Sequence, residues 1–264
     1  MMLAGKSIVV IGGTTGIGLA GAKAFVRQGA KVVVVGRNDE NGRKARAELG
    51  ENCVALAGDA THPEVAEKAI ATAMERFASF DGLYHVAGGS GRKMGDGPLH
   101  EISDEGWHYT LDLNLNSLFY SNRAAVREFL KQEKPGVILN LGSILGMAPS
   151  PKYFATHAYA AAKSSVVGFV KSCASYYAAR NIRFNLLVPA LVDTPMSQRA
   201  MANDEIMRFI ATKQPLDGGR VGVPEDLDQA AVFFMSDQSK FVTGQVLAVD
   251  GGWSVSEGQI NPRD

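Results

Sequence analysis

The stretch Ser7-Ile-Val-Val-Ile-Gly-Gly-Thr-Thr-Gly-Ile-Gly18 decides the fold of this chain. Its first half is a short β-branched run, typical of a buried strand. It leads through a glycine turn into an alanine-rich segment that Gly29 ends, as expected for a helix. A strand, a tight turn and a helix N-terminus direct backbone N–H groups and a positive dipole at one point, which favours phosphate. The stretch therefore predicts a nucleotide-binding turn.

The glycine spacing specifies which kind of turn this is. A literal G-x-G-x-x-G occurs at Gly16, Gly18 and Gly21, but it begins four residues after the strand end, where the usual fingerprint would open the turn itself. The pattern G-x-x-x-G-x-G fits the strand end. A lone glycine turn can be purely topological, but one that follows the first strand of an alternating chain favours nucleotide binding. The candidate contacts are Gly12, Thr14, Thr15, Gly16, Ile17 and Gly18.

The remaining sequence alternates β-branched runs with helical segments. Strands are predicted at residues 7–12, 31–35, 53–57, 82–87, 136–141, 183–188 and 246–249. Helices are predicted at residues 17–28, 41–49, 63–79, 103–131, 158–180 and 224–236. This alternation predicts an α/β fold, with a doubly wound, mostly parallel seven-stranded sheet and helices on both faces. Since no repeat or linker divides the chain, residues 1–264 are predicted to form one domain.

Two segments interrupt this alternation. Residues 88–99 are glycine-rich and are predicted to form a loop. Residues 193–217 carry Met196, Met201 and Met207 and are predicted to form a short apolar helical excursion. This second segment could pack on the core or cover an apolar substrate as a lid, because methionine adapts to irregular surfaces. Both interpretations stay open.

Composition excludes several classes of protein. The chain has 27 Lys and Arg against 27 Asp and Glu, with no basic stripe, so no nucleic-acid partner is expected. No apolar run approaches the roughly 18 residues that span a bilayer, and no signal peptide is recognised. The two cysteines, Cys53 and Cys173, cannot form a disulfide framework or a zinc site, and the histidines lack metal-ligand spacing. We expect a cytoplasmic protein without membrane or metal.

The end of the second predicted strand bears on coenzyme choice. A site for NAD usually places an acid there to bind the ribose hydroxyls. Here Gly36 occupies the tip and Arg37 follows. A guanidinium can bind a 2′-phosphate with paired hydrogen bonds, and a carboxylate would repel it. NADP(H) is therefore favoured over NAD(H), with Arg37 and Asn38 as candidate contacts. Asp39 is predicted to start the next helix, and the alternative for Arg37 is an exposed loop charge.

Tyr159 and Lys163 lie four residues apart in a predicted helix, so both side chains stand on one face. Tyrosine has an unperturbed pKa of ~10 and is a poor acid or base at neutral pH. An ammonium about 5 Å away, at an effective dielectric of ~20, attracts a phenolate by roughly 3 kcal/mol. That attraction is equivalent to about two pKa units. The pair therefore predicts a tyrosine with a lowered pKa that can carry a proton.

Two further polar residues complete the candidate site. Ser143 follows a predicted buried strand at the carboxyl edge of the sheet, where ligands bind in open α/β folds. Asn114 lies inside the predicted helix 103–131, although asparagine is a mediocre helix former, so a non-structural reason is plausible. Taken alone, each residue is more typical of a structural role than of a catalytic one. Combined with the glycine turn, they indicate a catalytic site.

These motifs together resemble the short-chain dehydrogenase/reductase family in its shorter, single-domain form, from about Lys6 to Trp253. The resemblance implies a Rossmann-like fold and a homotetramer. Asn114, Ser143, Tyr159 and Lys163 fall in the order of the family's catalytic tetrad, and Asp59 matches its adenine-contacting acid. The further coenzyme contacts that it implies are Ala60, Ala87, Gly88, Pro189, Val192 and Thr194, together with Tyr159 and Lys163.

The resemblance also implies an activity, which is NADP(H)-linked interconversion of a small carbonyl compound and its alcohol by hydride transfer at nicotinamide C4. Tyr159 would move the proton, and Ser143 would hydrogen-bond the carbonyl oxygen. Lys163 would lower the tyrosine pKa and hold the ribose, and Asn114 would hold a relay water. The alternatives are a non-catalytic dinucleotide-binding regulatory module of the same fold, and a sugar-nucleotide epimerase or dehydratase. The chain lacks the substrate domain of the latter.

Three departures from the family pattern bear on the site. His85-Val86-Ala87-Gly88 replaces Asn-Asn-Ala-Gly, so we expect two bracing amides to be lost. Ala190 follows Pro189 where glycine is usual, which adds a methyl group beside the expected nicotinamide. An extended loop, residues 147–157, should reshape the substrate entrance. His157 within it is expected to face solvent, and the alternative is contact with the substrate. A sugar, a steroid, an acyl thioester and a small ketone all remain possible substrates.

Overall fold

The computed structural model describes residues 1–258, which contain one seven-stranded sheet with every strand pair parallel. The strands are β1 (Ser7–Ile11), β2 (Lys31–Gly36), β3 (Cys53–Ala57), β4 (Gly82–His85), β5 (Gly136–Leu141), β6 (Ile182–Pro189) and β7 (Val246–Val249). Their order across the sheet is β3-β2-β1-β4-β5-β6-β7. The chain thus winds outward in both directions from the β1–β4 pair. The predicted doubly wound parallel sheet is confirmed.

Helices cover both faces of the sheet, as predicted. They are α1 (Gly16–Arg27), α2 (Asp39–Leu49), α3 (Pro63–Phe77), α4 (Asp104–Leu111), α5 (Ser117–Gln132), α6 (His157–Tyr177), α7 (Gln198–Met201), α8 (Asp204–Lys213) and α9 (Asp228–Met235). The core against α1, α2 and α9 takes Ile8 and Val10 from β1, whereas the core against α3, α5 and α6 takes Val9 and Ile11. Because successive strand residues face opposite cores, the strand is apolar throughout.

The predicted helix 103–131 is interrupted between α4 and α5. Residues Asp112–Asn116 form a π-helical turn centred on Asn114. The Asn114 Nδ2 atom donates to the Thr110 carbonyl oxygen at 2.9 Å, the oxygen that a backbone N–H would bind in a regular α-helix. This side-chain bond competes with the helical ladder and accounts for the wider turn. The interruption leaves the Asn114 side chain completely buried.

Two other predicted segments differ in detail. Residues 224–236 begin as a 3₁₀ turn (Pro224–Leu227) and continue as α9. Residues 193–217 form α7 and α8, which confirms the predicted helical excursion. Ile206 and Ile210 of α8 are buried in the core, and the Phe209 ring meets the Trp253 ring edge-on at 5.8 Å. This segment therefore packs on the core, whereas its action as a lid stays a prediction.

The parallel arrangement brings the loops that carry chemistry to one edge. The segments after β1, β2, β4, β5 and β6 all leave the carboxyl edge of the sheet. Within residues 1–258, no helix combines the length and apolar character needed to cross a lipid bilayer.

Candidate active site

The turn after β1 is built from close backbone contacts. A Cβ atom on Gly12 would lie 2.6 Å from the Ala87 backbone nitrogen, and one on Gly18 would lie 2.1 Å from the Gly12 carbonyl oxygen. Gly16 has a φ of +51°, in the left-handed region that favours glycine. Within the described residues 1–258, α1 has neither a capping hydrogen bond from the Thr15 side chain nor an acidic residue in its first turn. This glycine cradle fits the pyrophosphate of a dinucleotide.

The tip of β2 admits no side chain. A Cβ atom on Gly36 would lie 2.0 Å from the Thr14 hydroxyl oxygen, and Thr14 is itself buried. A carboxylate therefore cannot stand at this tip, and the exposed Arg37 is the next side chain along. The Asn38 side chain accepts a hydrogen bond from the Asn41 backbone nitrogen at 3.0 Å and caps α2. The prediction that Asp39 starts this helix is confirmed.

Asp59, after β3, is held in the turn that leads to α3. Its Oδ1 atom accepts hydrogen bonds from the Thr61 backbone nitrogen at 3.0 Å and the Thr61 hydroxyl at 2.9 Å. Burial opposes ionisation, but these bonds and the positive charge of Arg37 outweigh it and lower the pKa of Asp59. The neighbouring Ala60 is partly buried against the core. The carboxylate is thus ionised and oriented on the same side as Arg37.

The segment after β4 joins two members of the predicted tetrad. The Gly89 backbone nitrogen donates to Asn114 Oδ1 at 3.0 Å, and Asn114 Nδ2 donates to the Gly89 carbonyl oxygen at 2.9 Å. A Cβ atom on Gly88 would lie 2.7 Å from Asn114 Oδ1 and 3.4 Å from Lys163 Nζ. The backbone of Ala87 and Gly88 therefore runs directly past the asparagine and the lysine.

The other two members meet at the start of α6. Tyr159 lies in the first turn of this helix, and the Ser143 side chain is near enough to its hydroxyl to act on the pKa of the phenol. Lys163 Nζ lies 5.8 Å from the centre of the Tyr159 ring and donates to the Leu141 carbonyl oxygen at 3.0 Å. Asn114, Tyr159 and Lys163 are buried, and Ser143 is half-buried. The four side chains predicted from separate motifs are brought together.

The acid–base properties of this pair differ from the expectation. Burial raises the pKa of Tyr159, and the hydrogen bond from Ser143 only partly offsets it. Burial also lowers the pKa of Lys163 to about 8. The predicted net lowering of the tyrosine pKa is therefore wrong for this structure, because removing the phenol from water penalises the phenolate. Tyr159 is protonated at neutral pH, the form that can donate a proton to a carbonyl oxygen.

The segment after β6 reaches the glycine cradle at Thr194. Pro189 ends β6, and Val192 is buried and forms a parallel bridge with Gly222. A Cβ atom on Gly16 would lie 3.3 Å from the Thr194 methyl carbon. Thr194 thus lies beside the turn that holds the pyrophosphate in our interpretation.

A glutamine that sequence analysis did not single out fixes this segment. Gln214 accepts a hydrogen bond from the Leu191 backbone nitrogen at 2.9 Å and donates to the Leu191 carbonyl oxygen at 3.2 Å. Gln214 is buried and lies at the end of α8. The segment that packs on the core therefore also holds the loop beside the cradle.

His85 supplies the brace that the sequence was expected to lack. Its imidazole is fully buried, with Nδ1 at 2.7 Å from the Ser121 hydroxyl and Nε2 at 3.1 Å from the Ala87 carbonyl oxygen. Since a carbonyl only accepts, Nε2 carries the proton and donates. Burial, followed by the charge of Lys163, lowers the pKa of His85 to about 3. A neutral imidazole therefore ties the end of β4 to α5, although the two amides of the family pattern are absent, as expected.

Asp96 is a site residue that sequence analysis missed. Its two carboxylate oxygens accept hydrogen bonds from the backbone nitrogens of Ala158 and Tyr159, each at 3.0 Å. The Gly97 carbonyl oxygen accepts from the His157 nitrogen at 3.2 Å, while the His157 side chain is exposed, as predicted. Asp96 is buried. The loop after β4 thus caps the helix that carries Tyr159, and no local sequence signal links the two.

Comparison with known proteins supports the same interpretation. Residues 12–254 match the model of a family described as enoyl-(acyl carrier protein) reductase. The 3-oxoacyl-(acyl-carrier-protein) reductase FabG of Chlamydia muridarum is 34% identical, over 95% of this chain and 98% of its own. The 3beta-hydroxysteroid dehydrogenase 1 of Eggerthella lenta is 36% identical, over 97% and 96%. The 2,5-dichloro-2,5-cyclohexadiene-1,4-diol dehydrogenase of Sphingobium indicum is 34% identical, over 96% and 98%.

A solved structure, that of gox2181, has the same fold. It matches with a TM-score of 0.87 at 28% identity and covers 96% of this chain and 97% of its own. Fold, site and relatives together define a Rossmann-fold oxidoreductase that acts on CH–OH and C=O groups. The chain belongs to the short-chain dehydrogenase/reductase family.

The buried His85 should make stability depend on pH. Its pKa falls from the ordinary value of 6.5 to about 3 on folding, so the unfolded chain binds a proton that the folded chain excludes. Stability is complete above pH 6.5 and is lost towards lower pH by about 1.4 kcal/mol per pH unit. In His85→Asn this contribution should vanish, giving a flatter profile in urea unfolding between pH 7 and 4.5. The control His157→Asn changes an exposed residue and should keep the wild-type dependence of unfolding free energy on pH. If His85→Asn also kept that dependence, His85 would not be its source.

The Asp96 cap should control the position of Tyr159. Asp96→Asn replaces one acceptor by a donor, so one of the two helix N–H groups loses its partner. We expect stability to fall by about 1–3 kcal/mol and kcat to fall at least about tenfold, with coenzyme affinity within about twofold. Asp104→Asn, an exposed acid in the first turn of α4, is the matched control, and equal kcat in both variants would refute the cap.

Proposed function

We propose that the protein is an NADP(H)-dependent oxidoreductase that interconverts a carbonyl and its alcohol, with Tyr159 as the acid and base. One observation carries the proposal. Tyr159 lies in one buried cluster with Lys163, whose Nζ is 5.8 Å from the centre of the tyrosine ring, and the Ser143 side chain is near enough to act on the pKa of the phenol. This cluster lies at the sheet edge that also holds the glycine cradle. Two hydroxyl groups at one point can both reach a single carbonyl oxygen.

The chemistry then divides between the coenzyme and the chain. When bound, the nicotinamide supplies or accepts the hydride. Ser143 donates a hydrogen bond to the carbonyl oxygen, where negative charge develops during reduction. Tyr159 gives its proton to that oxygen as the alcohol forms, and its raised pKa keeps this proton available at neutral pH. Alcohol oxidation uses the same groups in reverse, so it requires the phenolate and speeds up as pH rises.

Lys163 and Asn114 support the reacting pair. The Lys163 ammonium hydrogen-bonds the Leu141 carbonyl oxygen and is positioned to hold the nicotinamide ribose. Its pKa of about 8 means that its positive charge declines as pH rises through that value. Asn114 fixes the backbone of Gly89, and its proposed second task, holding a relay water, rests on the family resemblance.

NADP(H) is the proposed coenzyme because of the tip of β2. Thr14 leaves no space for a carboxylate at Gly36, and the exposed Arg37 can bind a 2′-phosphate. The ionised Asp59 lies on the adenine side in this interpretation, followed by Ala60. The segment of Pro189, Val192 and Thr194 would cover the nicotinamide.

The proposal also covers the substrate, the domain organisation, the assembly and the compartment of the enzyme. The three named relatives act on an acyl carrier thioester, a steroid and a chlorinated diol at 34–36% identity, so identity alone does not select a substrate. We propose a small-molecule carbonyl or alcohol substrate, one domain for coenzyme and substrate, and a homotetramer. Cys53 and Cys173 are free thiols, which favours the cytoplasm. The assembled tetrad argues against a non-catalytic regulatory module.

The acid–base assignment is tested by Tyr159→Phe. The ring and its packing persist, but the exchangeable proton is lost. We expect reduction of a responsive carbonyl substrate to slow by about 100- to 10,000-fold, while NADPH affinity, measured by fluorescence titration, stays within about threefold. Tyr176→Phe removes the same hydroxyl from an exposed ring and should retain wild-type turnover. Undiminished turnover in Tyr159→Phe would refute the mechanism.

The coenzyme assignment is tested by Arg37→Asp. This change replaces a paired hydrogen bond to the 2′-phosphate by repulsion. The ratio of kcat/KM with NADPH to that with NADH should fall by at least about 100-fold, which equals about 2.8 kcal/mol. Arg180→Asp, an exposed arginine just before β6, should leave the ratio unchanged. An unchanged ratio in Arg37→Asp would overturn the preference for NADP(H).

A further inference from the structure

Two guanidinium groups converge on one oxygen beside the active site. The Nη2 atoms of Arg92 and Arg199 each lie 3.4 Å from the Tyr153 carbonyl oxygen, so they are at most about 7 Å apart. At 3.4 Å both hydrogen bonds are long, and a single carbonyl is a weak partner for two cations. Two positive charges held this close repel each other unless an anion lies between them.

Neighbouring carboxylates do not neutralise the pair. Both oxygens of Asp96 accept hydrogen bonds from the start of α6, and Glu205 is bonded to Lys152 at 2.6 Å and to the Tyr153 hydroxyl at 3.0 Å. Within residues 1–258, neither Arg92 nor Arg199 forms an ion pair within 4 Å. Burial and the charge of Arg199 lower the pKa of Arg92, and Asp96 offsets this only in part.

The arginine pair lies where three loops of the catalytic edge meet. Arg92 belongs to a 3₁₀ turn four residues after Gly88, which lies beside Lys163. Tyr153 belongs to the loop between Ser143 and Tyr159. Arg199 belongs to α7, five residues after Thr194 at the glycine cradle. Each contributing segment therefore starts at a strand end that carries a proposed catalytic or coenzyme residue.

We propose that Arg92 and Arg199 bind an anionic group of the substrate, so that the enzyme acts on carbonyl compounds that carry a carboxylate or phosphate remote from the reacting carbon. This inference rests on the proposed function. Arginine forks bind both oxyanions through paired hydrogen bonds, and the partial burial of Arg92 strengthens its attraction, whereas Arg199 is exposed. The anion would replace the weak contacts to the Tyr153 carbonyl.

Exposed apolar side chains on the same three segments indicate the rest of the substrate. Met94, Met147 and Met196 are 38%, 50% and 55% exposed, one on each segment. Flexible thioether side chains suit an apolar chain of variable shape. The substrate class is therefore an amphiphilic carbonyl compound, with an apolar body between the carbonyl and the anion.

Paired substrates test the inference. Wild-type enzyme with NADPH is assayed on oxo acids of five to ten carbons and on their neutral methyl esters. A second arm compares 3-oxobutanoyl coenzyme A with the phosphate-free N-acetylcysteamine thioester. We expect kcat/KM for the best anionic member to exceed that of its neutral partner at least about tenfold at low salt, with the excess falling as salt rises. Preference in the first arm identifies a carboxylate, and preference in the second identifies a phosphate.

Variants assign that preference to the arginines. Arg92→Gln and Arg199→Gln should each reduce the anion-to-neutral ratio by about tenfold, whereas Arg180→Gln should retain it. The anion site would be overturned if the anion-to-neutral ratio of kcat/KM were the same in wild-type and variant enzymes, or if the wild-type enzyme preferred the neutral member in both arms. In either case, turnover of the neutral esters would still support the oxidoreductase. Failure to reduce any of these carbonyls would instead refute the proposed function, and this inference with it.

Discussion

The active site depends on backbone segments that approach too closely for any side chain to lie between them. The turn after β1 meets the segment after β4 where a Cβ atom on Gly12 would reach the Ala87 nitrogen, and α1 begins where one on Gly18 would reach the Gly12 carbonyl. Gly88 is similarly confined by Asn114. These contacts place the glycine cradle, the asparagine and the lysine in one rigid arrangement. A side chain at Gly12, Gly18 or Gly88 would push the neighbouring segments apart, and would therefore displace the coenzyme site and the catalytic groups at the same time.

Burial then determines the electrostatics of the site. Removing Tyr159 from water stabilises its neutral form, and removing Lys163 from water weakens its hold on a proton. His85 is neutral for the same reason. At neutral pH the centre of the site therefore holds the Lys163 ammonium beside a neutral phenol and a neutral imidazole, whereas Arg37 and Arg199 are exposed and Arg92 is half-buried. In the proposed reaction a neutral carbonyl reacts at this centre, while the charged groups of coenzyme and substrate are held at a distance.

The sequence predicted those parts of the site that neighbouring residues encode. The strand, turn and helix around Gly12–Gly18 and the Tyr159–Lys163 pair are patterns of a few residues, and the structure contains them. Asp96 lies 62 residues from Ala158, so its cap depends on a long-range contact that no spacing rule reveals. His85 could be recognised as a departure, but not as a brace, because Ser121 reaches it from another element. The direction of the Tyr159 pKa was missed because spacing says nothing about burial.

The way α6 starts has a consequence for how this scaffold can diversify. Thr156 precedes the helix but does not cap it with its side chain, since the N–H groups of its first turn are satisfied by Asp96 and Gly97 instead. Residues 147–155 are thereby freed from the task of starting the helix. This stretch can change in length or composition while the reactive phenol keeps its place. Substrate range and catalytic machinery can consequently evolve, or be engineered, as separate modules.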